Sequence, residues 1–249
     1  MTRTMHASEA GLTLIEVVIA VTLLSMLSVG MLEAIRMGFG ALDRTNLRLM
    51  EDRRVAGAQR VLEQEIAGLI PVKALCPGQD QAPVAPFAFF EGQPQSMRLI
   101  STYSLQEAWR GHPYIDEFQV ISGAGGRGVR LIVNEVPYNG PLSARHACLG
   151  MAPDPESGRM VPQFAPIVAG PQSFVLADKL ASCRFWYLEP AKPPAVEHWR
   201  SDWVLPQWPL GIRVEMAPLP EDSRTRLRPL TVTVPIAINR SPDIDYVDY

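Results

Sequence analysis

Cysteine is scarce in this chain. Only Cys76, Cys148 and Cys183 occur in 249 residues, and no two stand in a C-x-x-C spacing. That excludes the common short zinc and redox motifs. In an oxidising compartment one pair can close and leave one thiol free, and the spacing does not choose the pair. Histidine is nearly as rare, with His6, His112, His146 and His198. His146 and Cys148 are near neighbours, but no second pair at zinc-ligand spacing accompanies them. No metal and no cofactor is therefore assigned. Excess positive charge is also missing: the formal net charge is −3, which leaves no basic field for nucleic acid. No G-x-S-x-G elbow presents a nucleophilic serine. No two acids stand out as an acid/base couple, and the chain reads as non-enzymatic.

Two further absences shape the N-terminal third. No proline precedes Pro71, and no lysine or arginine lies between Leu12 and Leu32. The first permits one uninterrupted helix, and Pro71 marks its stop, because proline biases the preceding residue away from helix. The second leaves a run of 21 residues broken only by Glu16 and a few Thr, Ser and Gly. About 20 apolar residues cross a bilayer as helix, so the run is long enough to span. It is too long for the 7–15-residue apolar core of a secretory signal peptide, and no Ala-x-Ala site follows it.

Glu16 is the residue that a plain anchor does not need. A carboxylate inside a membrane costs about 2.5–3.5 kcal/mol at its centre and calls for a partner. A cut after Gly11 would create one, by giving Leu12 a free ammonium group. Residues i and i+4 share a helix face, so Glu16 would meet that charge on its own chain or on a neighbour. Glycine at the cut lets a protease approach the backbone closely.

The segment Gly11-Leu12-Thr13-Leu14-Ile15-Glu16-Val17-Val18-Ile19-Ala20 resembles the class III signal of type IV prepilins and type II secretion pseudopilins. The resemblance implies cleavage between Gly11 and Leu12 by a prepilin peptidase, N-methylation of Leu12, and a role for Glu16 in assembly and register. Leu12 departs from the usual Phe. The leader Met1–Ala10 departs as well, having only Arg3 as a basic side chain and Glu9 beside the cut.

Beyond the apolar run the helical pattern continues in water-facing form. Val55, Ala58, Leu62, Ile66 and Leu69 recur at three- and four-residue steps, a stripe that would pack on a sheet. The element would reach from Leu12 to about Ile70, roughly 90 Å at 1.5 Å per residue. Gly30, Gly38 and Gly40 weaken helix propensity near its middle. Val72 to Gln95 reads as loop. Strands follow at Met97–Thr102, Phe118–Ile121, Val129–Val136, Phe174–Ala177, Cys183–Leu188, Gly211–Met216 and Thr231–Ile238, and Pro137 to Gly170 reads as a second loop-rich stretch. Gly123-Ala124-Gly125-Gly126-Arg127-Gly128 satisfies G-x-G-x-x-G, but a β-like run follows where a phosphate cradle needs a helix, so it is read as a hairpin turn. Asp243, Asp245 and Asp248 alternate as calcium ligands can, and are read as a solvated acidic end.

The expected fold is α+β and pilin-like: one long N-terminal helix, membrane-spanning in its first half, packed on an antiparallel β-sheet. The expected divisions are a leader at 1–11, a transmembrane or filament-core helix at 12–32, the second half of the helix at 33–70, and a periplasmic α+β domain at 71–249. Trp186, Trp199, Trp203 and Trp208 crowd the C-terminal half. Trp199 and Trp203, near Pro193, Pro194 and Pro206, are placed on a loop as a partner surface. An aromatic strand, a Trp-containing loop, and a Leu205-Pro206 lead-in to the alternating run Ile212-Arg213-Val214-Glu215-Met216 are together similar to the J-type minor pseudopilin of type II secretion. That resemblance implies a subunit near the tip of a pseudopilus, anchored in the bacterial inner membrane with its C-terminal domain in the periplasm. Its implied partners are prepilin peptidase, other minor and major pseudopilins, the inner-membrane assembly platform, and membrane lipid before assembly. Two other readings remain: a minor pilin of a type IV pilus or DNA-uptake pseudopilus, and a single-pass anchored periplasmic enzyme or binding protein.

Overall fold

The computed structural model describes residues 13–76, 86–105, 109–155, 158–190, 197–219 and 229–237; the side chains of 40–55, 109, 110 and 146 are outside that description. The expected cleavage residues Gly11 and Leu12, the leader before them, the acidic tail and the side chain of Val55 fall outside it. The chain divides into two compact units between Arg53 and Arg54, and each is described by itself.

The first unit is helix. α1 runs from Leu14 to Ala67, so its last turns belong to the second unit. It opens where the Thr13 carbonyl accepts hydrogen bonds from the Glu16 and Val17 amides at 3.1 and 3.3 Å. Helical structure continues through Gly30, Gly38 and Gly40.

The second unit is a sheet with a cover on each face. Its strands are β1 (Lys73–Ala74), β2 (Phe87–Ala88), β3 (Glu91–Gly92), β4 (Ser96–Ser104), β5 (Trp109–Ser122), β6 (Val129–Pro137), β7 (Cys148–Pro153), β8 (Met160–Phe164), β9 (Phe174–Glu189), β10 (His198–Arg200), β11 (Gly211–Pro218) and β12 (Leu230–Pro235). The main sheet is antiparallel in the order β12-β11-β9-β6-β5-β4-β3, with β10 also paired to β9. A long apolar helix followed by an antiparallel sheet makes the fold α+β with a pilin-like layout.

Alternation along the strands sends side chains to opposite faces. Met97 and Leu99 of β4, Phe118 of β5, and Leu131 and Val133 of β6 face the end of α1, where Leu62, Ile66 and Leu69 bury the stripe read from the sequence. On the other face Ile100 and Ile115 pack with Phe89, Ala74 and Ala144 of the short helix α2 (Pro141–Ala144). A disulfide between Cys76 and Cys148 ties the segment after β1 to the start of β7, and Cys183 stays free in the core.

Three elements differ from the sequence expectation. α1 ends at Ala67, short of Ile70, because sheet pairing takes over first. Leu69 bridges Ser101, the Ile70 amide donates to the Ile100 carbonyl at 2.9 Å, and the Thr102 amide donates to the Gly68 carbonyl at 3.0 Å. A β-carbon at residue 68 would press on Ser101 Oγ and lie 3.1 Å from the Gln64 carbonyl oxygen, so this close approach favours glycine. The two short strands expected at Phe174–Ala177 and Cys183–Leu188 are one strand, β9. It bends at Lys179, whose φ is +56°, where its pairing register shifts. The loop expected from Pro137 to Gly170 contains α2 and the β7–β8 hairpin, and the one at Val72–Gln95 contains β1–β3.

Candidate functional site: the apolar N-terminal helix and the buried polar clusters

From Leu14 to Phe39, α1 is long and apolar enough to cross a membrane, and none of it is buried in the protein. Twenty-six residues at 1.5 Å rise reach about 39 Å, more than the roughly 30 Å of a hydrocarbon core. The polar side chains within the run are turned inward on the helix. Thr22 Oγ1 donates to the Ile19 carbonyl at 2.8 Å, Ser25 Oγ to Val21 at 2.7 Å, and Ser28 Oγ to Leu24 at 2.8 Å. Those bonds satisfy hydroxyls that an apolar surrounding could not. Charge returns only at Glu33 and Arg36, one turn apart at 4.0 Å.

Glu16 sits in the first turn of α1. Acidic side chains are favoured there by the positive end of the helix dipole. Its side chain is exposed on a helix that is otherwise apolar down to Leu32. Glu16 thus combines an exposed position with a helix start directly before it, and no other ionisable group stands among the next sixteen residues.

The tryptophans divide. Trp203 is 8 % exposed, which corrects its expected place on a partner surface. Its indole packs edge-on against Phe90 and beside Tyr187, its amide donates to the Gly92 carbonyl at 2.8 Å, and its Nε1 donates to the Gln207 carbonyl at 2.6 Å. The ring stabilises the core. Trp199 belongs to β10 and not to a loop, and is half-buried with the Arg213 guanidinium 4.0 Å above its ring. Beside Trp203 opens a groove of about 470 Å³, lined in part by Phe90, Met160, Pro162, Phe164 and Leu205.

Two buried polar clusters escaped the sequence reading, one on each sheet face. On the α2 face, Arg98 is 1 % exposed. It pairs with Glu91 and with Glu117 (2.9 Å), donates to the Ala165 carbonyl at 3.0 Å, and lies over the Phe164 ring. Burial pushes the Glu91 carboxyl up to about 7, against the opposing pull of Arg98. On the helix face, Glu65 and Asp116 are fully buried and Glu135 is half-buried. One carboxylate oxygen from each lies within 4.8 Å of the others. Asp116 stands directly opposite Glu135 across the β5–β6 pair. Burial raises the Glu65 and Asp116 carboxyls, and their mutual repulsion adds to the rise at Asp116.

One signal for Glu65 was present. It stands three residues after Leu62 and seven after Ala58, so at 100° per residue it falls inside the apolar stripe. Asp116 and Glu135 offer no such sign, since strand pairing alone brings them together.

Residues 6–32 match the family model described as the prokaryotic N-terminal methylation motif. No curated protein matches the chain. The motif and the apolar helix that carries it support a type IV pilin-like protein. They imply processing by a prepilin peptidase and assembly with other pilin-like subunits.

Proposed function

We propose that the chain is a minor pseudopilin of a type II secretion pseudopilus, assembling at or near the tip with other minor pseudopilins. The single observation that carries this is the joining of a methylation motif, with Glu16 inside it, to an exposed apolar helix that leads into an α+β domain. In this reading Leu14–Phe39 spans the inner membrane before assembly and lies in the filament core afterwards. The C-terminal domain stands in the periplasm, and the role is structural. Glu16 pairs with the ammonium group created at Leu12, setting axial register and neutralising a carboxylate whose burial alone would be costly. The resemblance to J-type subunits is supported by the contiguity of its three segments, since β10 and β11 both pair with β9. Trp199 belongs to the surface this reading offers to the other subunits.

Intact-mass analysis of chain purified from membranes tests the processing step. The expected mass lacks Met1–Gly11 and carries one added methyl group; a retained leader refutes it. Gly11→Leu should block the cut. Glu16→Ala should still be cut but fail to join filaments, and assembly at the wild-type level would refute the register role. Co-purification with the other minor subunits of a secretion system, as opposed to those of a pilus or DNA-uptake system, decides between the secretion reading and a minor pilin.

A further inference from the structure

Among the described residues of the second unit, the helix-face cluster gathers buried carboxylates that do not satisfy one another. Glu65 and Asp116 are both 0 % exposed, and none of their four carboxylate oxygens has a hydrogen-bond partner. They face each other, and Glu65 also faces Ser101, without reaching ordinary hydrogen-bond geometry. Glu135 adds a third carboxylate, one of whose oxygens accepts from the Leu105 amide. Like charges directly opposite across a strand pair destabilise a sheet, and Asp116 and Glu135 are so placed. The charged groups acting most strongly on the buried pair are these acids themselves. An unpaired buried carboxylate costs several kcal/mol, so the facing, unpartnered carboxylates of Glu65 and Asp116 call for a neutralising charge between them.

We propose that Glu65, Asp116 and Glu135 bind one hard divalent cation between the last turn of α1 and the helix-facing side of the sheet. The ligand atoms are all oxygen, which suits calcium, magnesium or manganese and not the softer metals that choose sulfur and imidazole. Their mutual separation, within 4.8 Å, can be bridged by one ion at calcium–oxygen distances of about 2.3–2.6 Å. The Ser101 hydroxyl facing Glu65 supplies a neutral oxygen beside them. The frame is rigid on both sides. Gly68 and Ile70 are hydrogen-bonded to β4 just beyond Glu65, and Asp116 and Glu135 are held in register by the β5–β6 ladder. A bound ion would fasten the end of α1 to β5 and β6, strands that the backbone bonds from Gly68–Ile70 to β4 do not reach.

The test uses the full chain in detergent near neutral pH, stripped with a chelator and then given calcium, magnesium or manganese separately. One ion per chain should bind by equilibrium dialysis. At hundredfold excess over Kd the Tm should rise by about 5–10 °C. Glu135→Gln, the least buried ligand, should weaken binding at least tenfold without threatening the fold. Glu65→Gln with Asp116→Asn should abolish the ion and the shift while leaving the metal-free Tm at or above wild type. Asp243→Asn, Asp245→Asn and Asp248→Asn together should keep both. Three results would each overturn the proposal: no ion bound to wild type, a shift that survives Glu65→Gln with Asp116→Asn, or a shift lost with the tail acids. A wild type that binds none of the three ions and is stabilised only by acid would assign the neutralising charge to protons.

Discussion

Replacing Arg98 by methionine is the perturbation that most sharply tests how this domain is held together. The guanidinium is buried between β3 and β5 and paired to Glu91 and Glu117. Methionine fills much of the same volume, so the loss is mainly electrostatic. Removing one partner of a buried ion pair costs about 3–5 kcal/mol, because the other charge is stranded. The unmet Ala165 carbonyl and the lost contact with Phe164 add about 1–2 kcal/mol more. The expected total is about 4–7 kcal/mol at about pH 8, where Glu91 is largely ionised. At roughly 2–4 °C per kcal/mol for a domain of this size, Tm falls by about 8–28 °C. At about pH 5 Glu91, with its carboxyl at about 7, already holds a proton in the wild type, so the cost should be roughly halved. Adding Glu91→Gln and Glu117→Gln to Arg98→Met removes the stranded charges and should recover most of the loss. Urea titration of the full chain in detergent, followed by tryptophan fluorescence at the two pH values, measures all of this. A single variant within about 1 kcal/mol of wild type at pH 8, or a triple variant as unstable as the single one, would refute the reasoning.

Four other outcomes follow from the same structure. Reducing the Cys76–Cys148 disulfide, which closes a separation of 72 residues, should cost about 4 kcal/mol in a denaturant titration, while Cys183, buried and with its thiol pushed up to about 12, should resist maleimide until the chain unfolds. Gly92→Ala should lose about 1–3 kcal/mol, since a β-carbon there would lie 2.7 Å from the Tyr187 ring and 2.8 Å from Trp203 Cβ; circular dichroism melts check it. Glu91 has its folded pKa raised from 4.5 to about 7, so its contribution is complete below 4.5 and is lost as pH rises through about 7. Tm should accordingly fall between about pH 5 and pH 8, and fall less in Glu91→Gln.

What could be read beforehand was what local order encodes. The stretch from Gly11 to Ala20 is informative because its glycine, its glutamate and the start of its apolar run stand close together in sequence. Ile212-Arg213-Val214-Glu215-Met216 declared itself because alternation is the imprint of a half-buried strand, and Leu62, Ile66 and Leu69 did so through helical spacing. The buried clusters were hidden for the opposite reason. Glu65 stands among Glu63 and Gln64 and looks solvated. Asp116 and Glu135 are nineteen residues apart in sequence and meet only through the β5–β6 register. Arg98 lies in an alternating strand at a position that faces away from the helix, where a second covering layer of β7, β8 and α2 was not foreseen. For Trp203, proline and tryptophan near a turn suggest exposure, whereas its backbone is pinned to the β3 edge at Gly92.

The inward-bonded hydroxyls of Thr22, Ser25 and Ser28 have a mechanical consequence. Between Val17 and Leu32 the helix presents a surface with no outward polar contact and no charge. Dispersion contacts are individually weak and non-directional, so a neighbour moved along this shaft by one turn would exchange one greasy contact for another of nearly equal energy. Sliding along it is close to degenerate. In the proposed filament, the groups able to break that degeneracy stand at the two ends of the shaft, Glu16 at one and Glu33 and Arg36 at the other.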